Sequence, residues 1–154
     1  MSLKNVQFAV ATHIMVMLGS KRDEELSSRL LADSVNADPT FVRKSLSKLA
    51  KAGLVVTRRG QGGASSLARP ANRITLLDIY RASGSPPAVA THSYPVEKDC
   101  VVSRNFKICM SGVISEVQYG FESCLSKITL ANLTRRVRRH LPERNKPRAS
   151  KISR

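Results

Sequence analysis

Thr40, Arg43, Lys44 and Ser47 recur at steps of three and four, so on an α-helix they share one face. Their common chemistry is hydrogen-bond donation, the hydroxyls and cations suiting base edges and phosphates. Arg58, Arg59 and Gln61 are interleaved with glycines at 60, 62 and 63. Glycine permits positive φ and close backbone approach, and the adjoining arginines suit phosphates or a narrow minor groove. A different chemistry is offered by Cys100, beside Lys98 and shortly before Arg104 and Lys107. That electropositive setting near a helix start favours the nucleophilic thiolate.

Positioning these groups requires particular elements. Val6, Val10, Ile14 and Met17 follow helical spacing and predict an amphipathic first helix from Lys4 to Leu18. Ser27 or Ser28 caps a second helix running to about Val35, with Leu30, Leu31 and Val35 inward. Asn36-Ala37-Asp38 forms a three-residue turn. Asp38 before Pro39 is a start signal, because the carboxylate accepts a free backbone N–H and proline lacks one at the first helical position. The third helix then runs from Pro39 to about Ala52 and stops at Gly53, with Val42, Leu46 and Leu49 opposite the polar face. Leu54 to Arg58, the glycine-rich turn and a return strand near residues 66–68 make a hairpin ending at Pro70. A nucleotide phosphate loop is a poor reading of this turn, since no Gly-Lys-Ser/Thr ends it and a strand follows. Thr75 caps a short helix from about Leu76 to Ala82, closed by Gly84. The expected fold is mainly α, a winged helix-turn-helix DNA-binding domain plus a long dimerisation helix.

Charge points the same way. The chain carries 26 Lys and Arg against 11 Asp and Glu, a net +15 on 154 residues, which favours a polyanionic partner. Residues 135–154 hold nine basic residues against Glu143, a net +8, leaving +7 for the rest, so the tail alone does not account for the bias. Aromatic residues are only 5% and Trp is absent, which argues against base stacking on an aromatic platform.

The remaining chain divides by composition. Residues 1–83 form the DNA-binding domain, and residues 84–105, with Pro86, Pro87 and Pro95, read as a linker and candidate sensor loop. From about Phe106 to Ile128, Met110, Val113, Val117, Phe121, Cys124 and Ile128 form a near-coiled-coil stripe, suited to a second copy of the chain. Thr129 caps a last helix in which Leu130, Leu133, Val137 and Leu141 pack inward while arginines 135, 136, 138 and 139 stay in water. Residues 106–141 are thus assigned to dimerisation, and 142–154 to a basic disordered tail.

Four segments together resemble a known family: Leu49-Ala50-Lys51-Ala52-Gly53-Leu54-Val55, the Arg59-Gly60-Gln61-Gly62-Gly63 turn, Leu67-Ala68-Arg69-Pro70, and Ile74-Thr75-Leu76-Leu77-Asp78-Ile79. In order and spacing they resemble the Rrf-two family of winged-helix bacterial transcription regulators, from about residue 4 through 141. A departure lies at Ala64-Ser65, where many relatives carry a bulkier residue. The resemblance implies a homodimer that binds a dyad-symmetric operator on double-stranded DNA, usually as a repressor. Several relatives sense iron–sulfur status, nitric oxide or redox change through cysteines.

In cluster-binding relatives three cysteines lie about five to seven residues apart, which the spacing of Cys100, Cys109 and Cys124 does not match. Cys124 lies on the apolar stripe and reads as a packed small hydrophobe, with Cys109 in the first turns of the long helix. Cys100 is the candidate sensor. Oxidation or electrophile addition there, followed by a disulfide to Cys109 or to a cysteine of another copy, would make a thiol switch. An iron–sulfur cluster is the alternative cofactor; otherwise none is read, and no metal ligands are assigned. His13 reads as a core or domain-contact histidine, and His92 joins a site only if its loop folds back.

An enzyme is not indicated: there is no nucleophile elbow, zinc signature or pair of carboxylates in a plausible pocket. No apolar run approaches the roughly 20 residues of a membrane span, and residues 1–18 lack the features of a signal peptide. With an odd number of cysteines, this predicts a soluble, cytoplasmic protein in a reducing compartment. The competing function is nonspecific, architectural nucleic-acid binding driven by the basic tail.

Overall fold

A computed structural model describes residues 6–21, 24–58, 60 and 63–140. The order of elements is α1 (Val6–Ser20), β1 (Leu26–Ser27), α2 (Ser28–Val35), α3 (Pro39–Lys51), β2 (Val55–Arg58), β3 (Ala64–Leu67), a single 3-10 turn (Ala71–Arg73), α4 (Leu76–Ser83), α5 (Val101–Ser126) and α6 (Leu130–Arg139). This is a mainly helical winged helix-turn-helix.

The central element is α1, packed by α2, α3, α4 and α6. Because neighbours surround it, its buried set is wider than a single amphipathic stripe: Val10, Ala11, Ile14, Met15 and Leu18 are all inside. Val6 is exposed and Met17 only half-buried, contrary to the one-sided periodicity. Burying the Val, Ile, Met and Leu side chains among them is worth about 1.5–3 kcal/mol each. His13 lies outside this core, exposed, with its Nε2 3.1 Å from the Ser34 hydroxyl.

The helix-turn-helix follows its local chemistry. Ser27 caps α2, its Oγ accepting the Leu30 N–H at 3.1 Å. Leu31 and Ala32 are buried, whereas Leu30 is exposed rather than inward. The turn closes at Asn36, left-handed at φ 55°, whose N–H reaches the carbonyls of Ala32 and Asp33. Asp38 Oδ1 then accepts the N–H groups of Thr40 at 2.8 Å and Phe41 at 3.2 Å, and Pro39 occupies the first helical position. At the far end Gly53 takes φ 70°, which turns the chain into β2.

The sheet has the order β1-β3-β2, antiparallel throughout, with Val55 opposite Leu67 and Arg58 opposite Ala64. β1, too short to leave a periodic signal, pairs Leu26 with Ser65 and fastens the wing to the start of α2. Its addition also draws the return strand to residues 64–67, earlier than the composition implied.

The long helix α5 begins at Val101, before the apolar stripe announces it, because Cys100 serves as its cap. Its carboxy-terminal part packs on the core, Phe121 edge-on to Tyr80 at 5.2 Å and Leu125 buried, while its earlier turns meet only the 84–100 loop. α6 then returns onto α1. Leu130 and Thr134 are its buried face and Val137 is exposed; Leu141 and the tail lie outside the described residues. Arg138 does not stay in water, since its guanidinium donates to the Ser20 carbonyl at 2.7 Å and closes the end of α1.

Candidate nucleic-acid interface

One face of α3 is packed and the other is free. Val42, Ser45, Leu46 and Leu49 are buried, while Thr40, Arg43, Lys44, Ser47 and Lys51 are exposed. The helix is held from its first turn by Asp38, whose carboxyl lies below its ordinary range because the Thr40 and Phe41 N–H groups and the Thr40 hydroxyl hydrogen-bond to it, with Arg43 adding a weaker attraction. Thr40 is therefore partly committed to the cap, and Arg43, Lys44 and Ser47 are the freer donors.

Arg58, at the end of β2, is exposed, but its Nε lies 3.0 Å from Glu25 Oε1. Arg59 and Gln61 lie outside the described residues. Gly63 takes φ 49°, and its carbonyl accepts the Ser28 N–H, so the turn is tied to the start of α2.

Between α3 and the wing lies a cleft of about 400 Å³ whose lining includes Ser28, Arg43, Leu46, Ser47, Lys51 and Thr57. A recognition helix in a major groove and a wing in the adjacent groove must straddle the sugar-phosphate strand dividing the two grooves. The cleft has the matching chemistry: hydroxyls and cations at the rim for phosphate oxygens, and Leu46 on the floor for a deoxyribose. Ser28, Thr57 and Lys51 stand beside the expected Arg43 and Ser47 here. Ser28 and Thr57 were not legible as partners of α3, because only the folded hairpin brings them there.

Cys100 is accessible, as a candidate sensor requires, whereas the packed reading of Cys124 is not met within this chain. All three cysteines are exposed. Cys100 caps α5, its Sγ accepting the Ser103 N–H at 3.5 Å. The loop before it does fold back: His92 stacks on Phe106 at 5.5 Å, and His92, Cys100, Phe106 and Lys107 line a hollow of about 310 Å³. Cys109 lies nine residues along the same helix, roughly 13 Å away at 1.5 Å per residue. That separation exceeds the roughly 7 Å limit between disulfide-linked Cα atoms, so a Cys100–Cys109 bridge within one chain would require the helix to unwind. Cys124 is roughly 36 Å from Cys100 by the same measure, and the three thiols do not fit one shared cluster within a single copy. Among the described residues no three His, Cys, Asp or Glu side chains converge as a metal site. No described helix is long and apolar enough to cross a membrane.

The 84–100 loop and α5 are tied to α4 by hydrogen bonds. Tyr80 donates its hydroxyl to the Pro86 carbonyl at 2.8 Å and accepts from Gln118 Nε2 of α5 at 3.3 Å. Gln118 and Arg81 both donate to Glu122, at 2.8 and 2.7 Å, and hold its carboxyl below the ordinary range.

Comparison with known proteins bears on this arrangement. Residues 5–136 match the Rrf2 family model, described as an iron-dependent transcriptional regulator. YwnA of Bacillus subtilis (strain 168), named as an HTH-type transcriptional regulator, is 35% identical over 130 residues, 84% of this chain and 95% of that protein. Among solved structures, a transcriptional regulator from Lactobacillus plantarum superposes with a TM-score of 0.75 at 24% identity, covering 88% of this chain and 92% of the other. CymR, the global cysteine regulator of B. subtilis, gives 0.63 at 22% identity, covering 88% and 98%.

Proposed function

This chain belongs to the Rrf2 family of transcription regulators, and from that premise we propose that it is a homodimeric repressor that binds a dyad-symmetric operator and responds to thiol-reactive signals through Cys100. The observation that carries the proposal is the free donor face of α3 standing across a cleft from the wing. Two copies present their α3 helices to successive major-groove half-sites about 34–36 Å apart. Arg43, Lys44 and Ser47 read bases or phosphates, Thr40 supports the helix start, and Arg58, Arg59 and Gln61 reach the flanking groove.

The thiol part is supported by the exposure of Cys100 and by its place at the junction of loop and long helix. Modification there removes the sulfur as an acceptor for Ser103 and loosens the first turn of α5. Since a bridge to Cys109 of the same chain is out of reach, a mixed disulfide with a small thiol or a bridge to another copy is the form that fits.

The test is selection of bound duplexes from a random DNA pool, with and without reductant. A dyad-symmetric consensus, with binding that diamide changes in the wild type but not in Cys100→Ser, is the expected result. Recovery of no consensus would favour the nonspecific reading instead, and an unchanged diamide response in Cys100→Ser would remove the switch.

A further inference from the structure

Lys48 is on the recognition helix but is not aimed with the readers. It lies at the edge of α3, between the donor face and the packed face, and its ammonium is committed within the protein. Nζ donates to Gln7 Oε1 of α1 at 3.1 Å and to the Ser83 carbonyl at 3.0 Å. Ser83 is the last residue of α4, so this carbonyl is among those that a helix leaves without an internal partner, at the negative end of its dipole. Gly84, at φ 68°, gives the ammonium room: a Cβ there would lie 3.2 Å from Nζ.

The far side of the same joint is tied to α5. The Ser85 N–H donates to Ser83 Oγ at 3.2 Å, Tyr80 holds the Pro86 carbonyl, and the Ala88 N–H donates to Gln118 Oε1 of α5 at 2.9 Å. Hydrogen bonds thus run from α5 through the end of α4 to a side chain of α3.

We propose that Lys48 is a positioning residue for DNA reading, a strut that fixes the recognition helix against the ends of α4 and α1 and links its orientation to α5. This rests on the sequence-specific binding proposed above. A strut and a phosphate contact differ in what they change. Losing a phosphate contact weakens binding to every duplex alike and lowers the salt slope by about one. Losing a strut leaves the slope intact and lowers the preference for the correct sequence, because base contacts are more demanding of geometry than charge attraction.

Lys48→Met retains the stem and removes the ammonium. Affinity of the full-length protein is measured on a selected duplex and on a scrambled duplex over a range of salt, and amide exchange of α3 is followed without DNA. The expected result is a fall of about tenfold in the specific-to-scrambled ratio, an unchanged salt slope, and faster exchange in α3. Gln7→Ala, which leaves α3 untouched, gives a smaller fall in the same direction, and Lys48→Arg restores part of it. Lys51→Met, on the cleft rim, serves as the contrasting phosphate contact and lowers the slope. The proposal is overturned if Lys48→Met loses a unit of salt slope with its ratio intact, or if ratio and exchange both match wild type. A wild type without preference for the selected duplex would instead sink the specific-binding reading, and the exchange measurement would still decide the strut.

Discussion

Thr75 and Thr129 pair as an antiparallel bridge, with the Leu76 N–H donating to the Ile128 carbonyl and the Leu130 N–H to the Ile74 carbonyl, both at 2.8 Å. Each threonine also heads a capping box, Thr75 with Asp78 and Thr129 with Asn132. The starts of α4 and α6 are thus stitched back to back, and the chain leaving α5 is fixed to the chain leaving the wing. Thr129→Ala removes one acceptor from this joint and is expected to lower stability by about 1 kcal/mol, read as a shift in the denaturant midpoint. Val at the same position retains the β-branch and not the hydroxyl, so an equal loss assigns the effect to the cap, whereas wild-type stability would refute it.

Asp38 gives the acid side of the stability profile. Its folded-state carboxyl is held below the ordinary value of 3.8, chiefly by the Thr40 and Phe41 N–H groups. The sign follows from linkage: this contribution is fully present above the unfolded-state value and is lost as pH falls through the lower folded-state value. Asp38→Asn keeps a capping acceptor that does not titrate. Thermal melts below about pH 5 are therefore expected to show a shallower acid loss in Asp38→Asn than in wild type, and parallel curves would contradict the assignment.

Arg43 is an exposed cation on the α3 face and also borders the cleft. Arg43→Ala is expected to cost about 1–3 kcal/mol on the selected duplex, concentrated at one base pair per half-site, so that sequence preference relaxes there. Binding titrations against a panel of single-base variants measure this. A uniform loss across the panel would reassign Arg43 to the backbone strand.

The contribution of Glu25 follows from its ion pair with Arg58, 3.0 Å apart. The carboxylate competes with phosphate for the guanidinium. Glu25→Gln is expected to strengthen binding to specific and scrambled duplexes alike, by less than about 1 kcal/mol because the pair is exposed. Unchanged affinity on both would show that Arg58 does not approach the DNA.

What could be seen in advance follows the range of the interactions involved. The turn at Asn36, the Asp38-Pro39 start, the Gly53 stop and the Thr75 and Thr129 caps are set within a few residues, and each occurs where the side-chain chemistry requires. The extra strand Leu26–Ser27, the commitment of Lys48 to Ser83 and the capture of Arg138 by Ser20 join residues far apart in the chain. Periodicity ranks residues by face and cannot tell a solvated cation from one that closes a helix end. The start of α5 at Val101 instead of about Phe106 goes unsignalled for a related reason, since a cysteine cap has none of the signal that serine or aspartate carries.

The exposed stripe of α5 leads to the last prediction. Within one chain Phe121 and Leu125 find partners, but Val113 is 51% exposed and Val117 45%, with Phe106 on the same face also open. Gly120, one heptad after Val113, has nothing within 4 Å of where a Cβ would stand, so its small size serves no contact inside the chain. Both features make sense if a second helix lies along this face, where the valines are covered and glycine admits close approach. Val117→Glu removes about 1.5–3 kcal/mol of burial from each copy and adds a buried charge. Sedimentation equilibrium is expected to show wild type as a dimer and the variant shifted to monomer, with circular dichroism unchanged and affinity for the dyad duplex reduced. Gly120→Ala separates the two causes, since in a free helix it stabilises by about 1 kcal/mol, whereas at a close crossing it weakens the dimer. A variant Val117→Glu that remains dimeric and binds as wild type would exclude this face as the contact between copies.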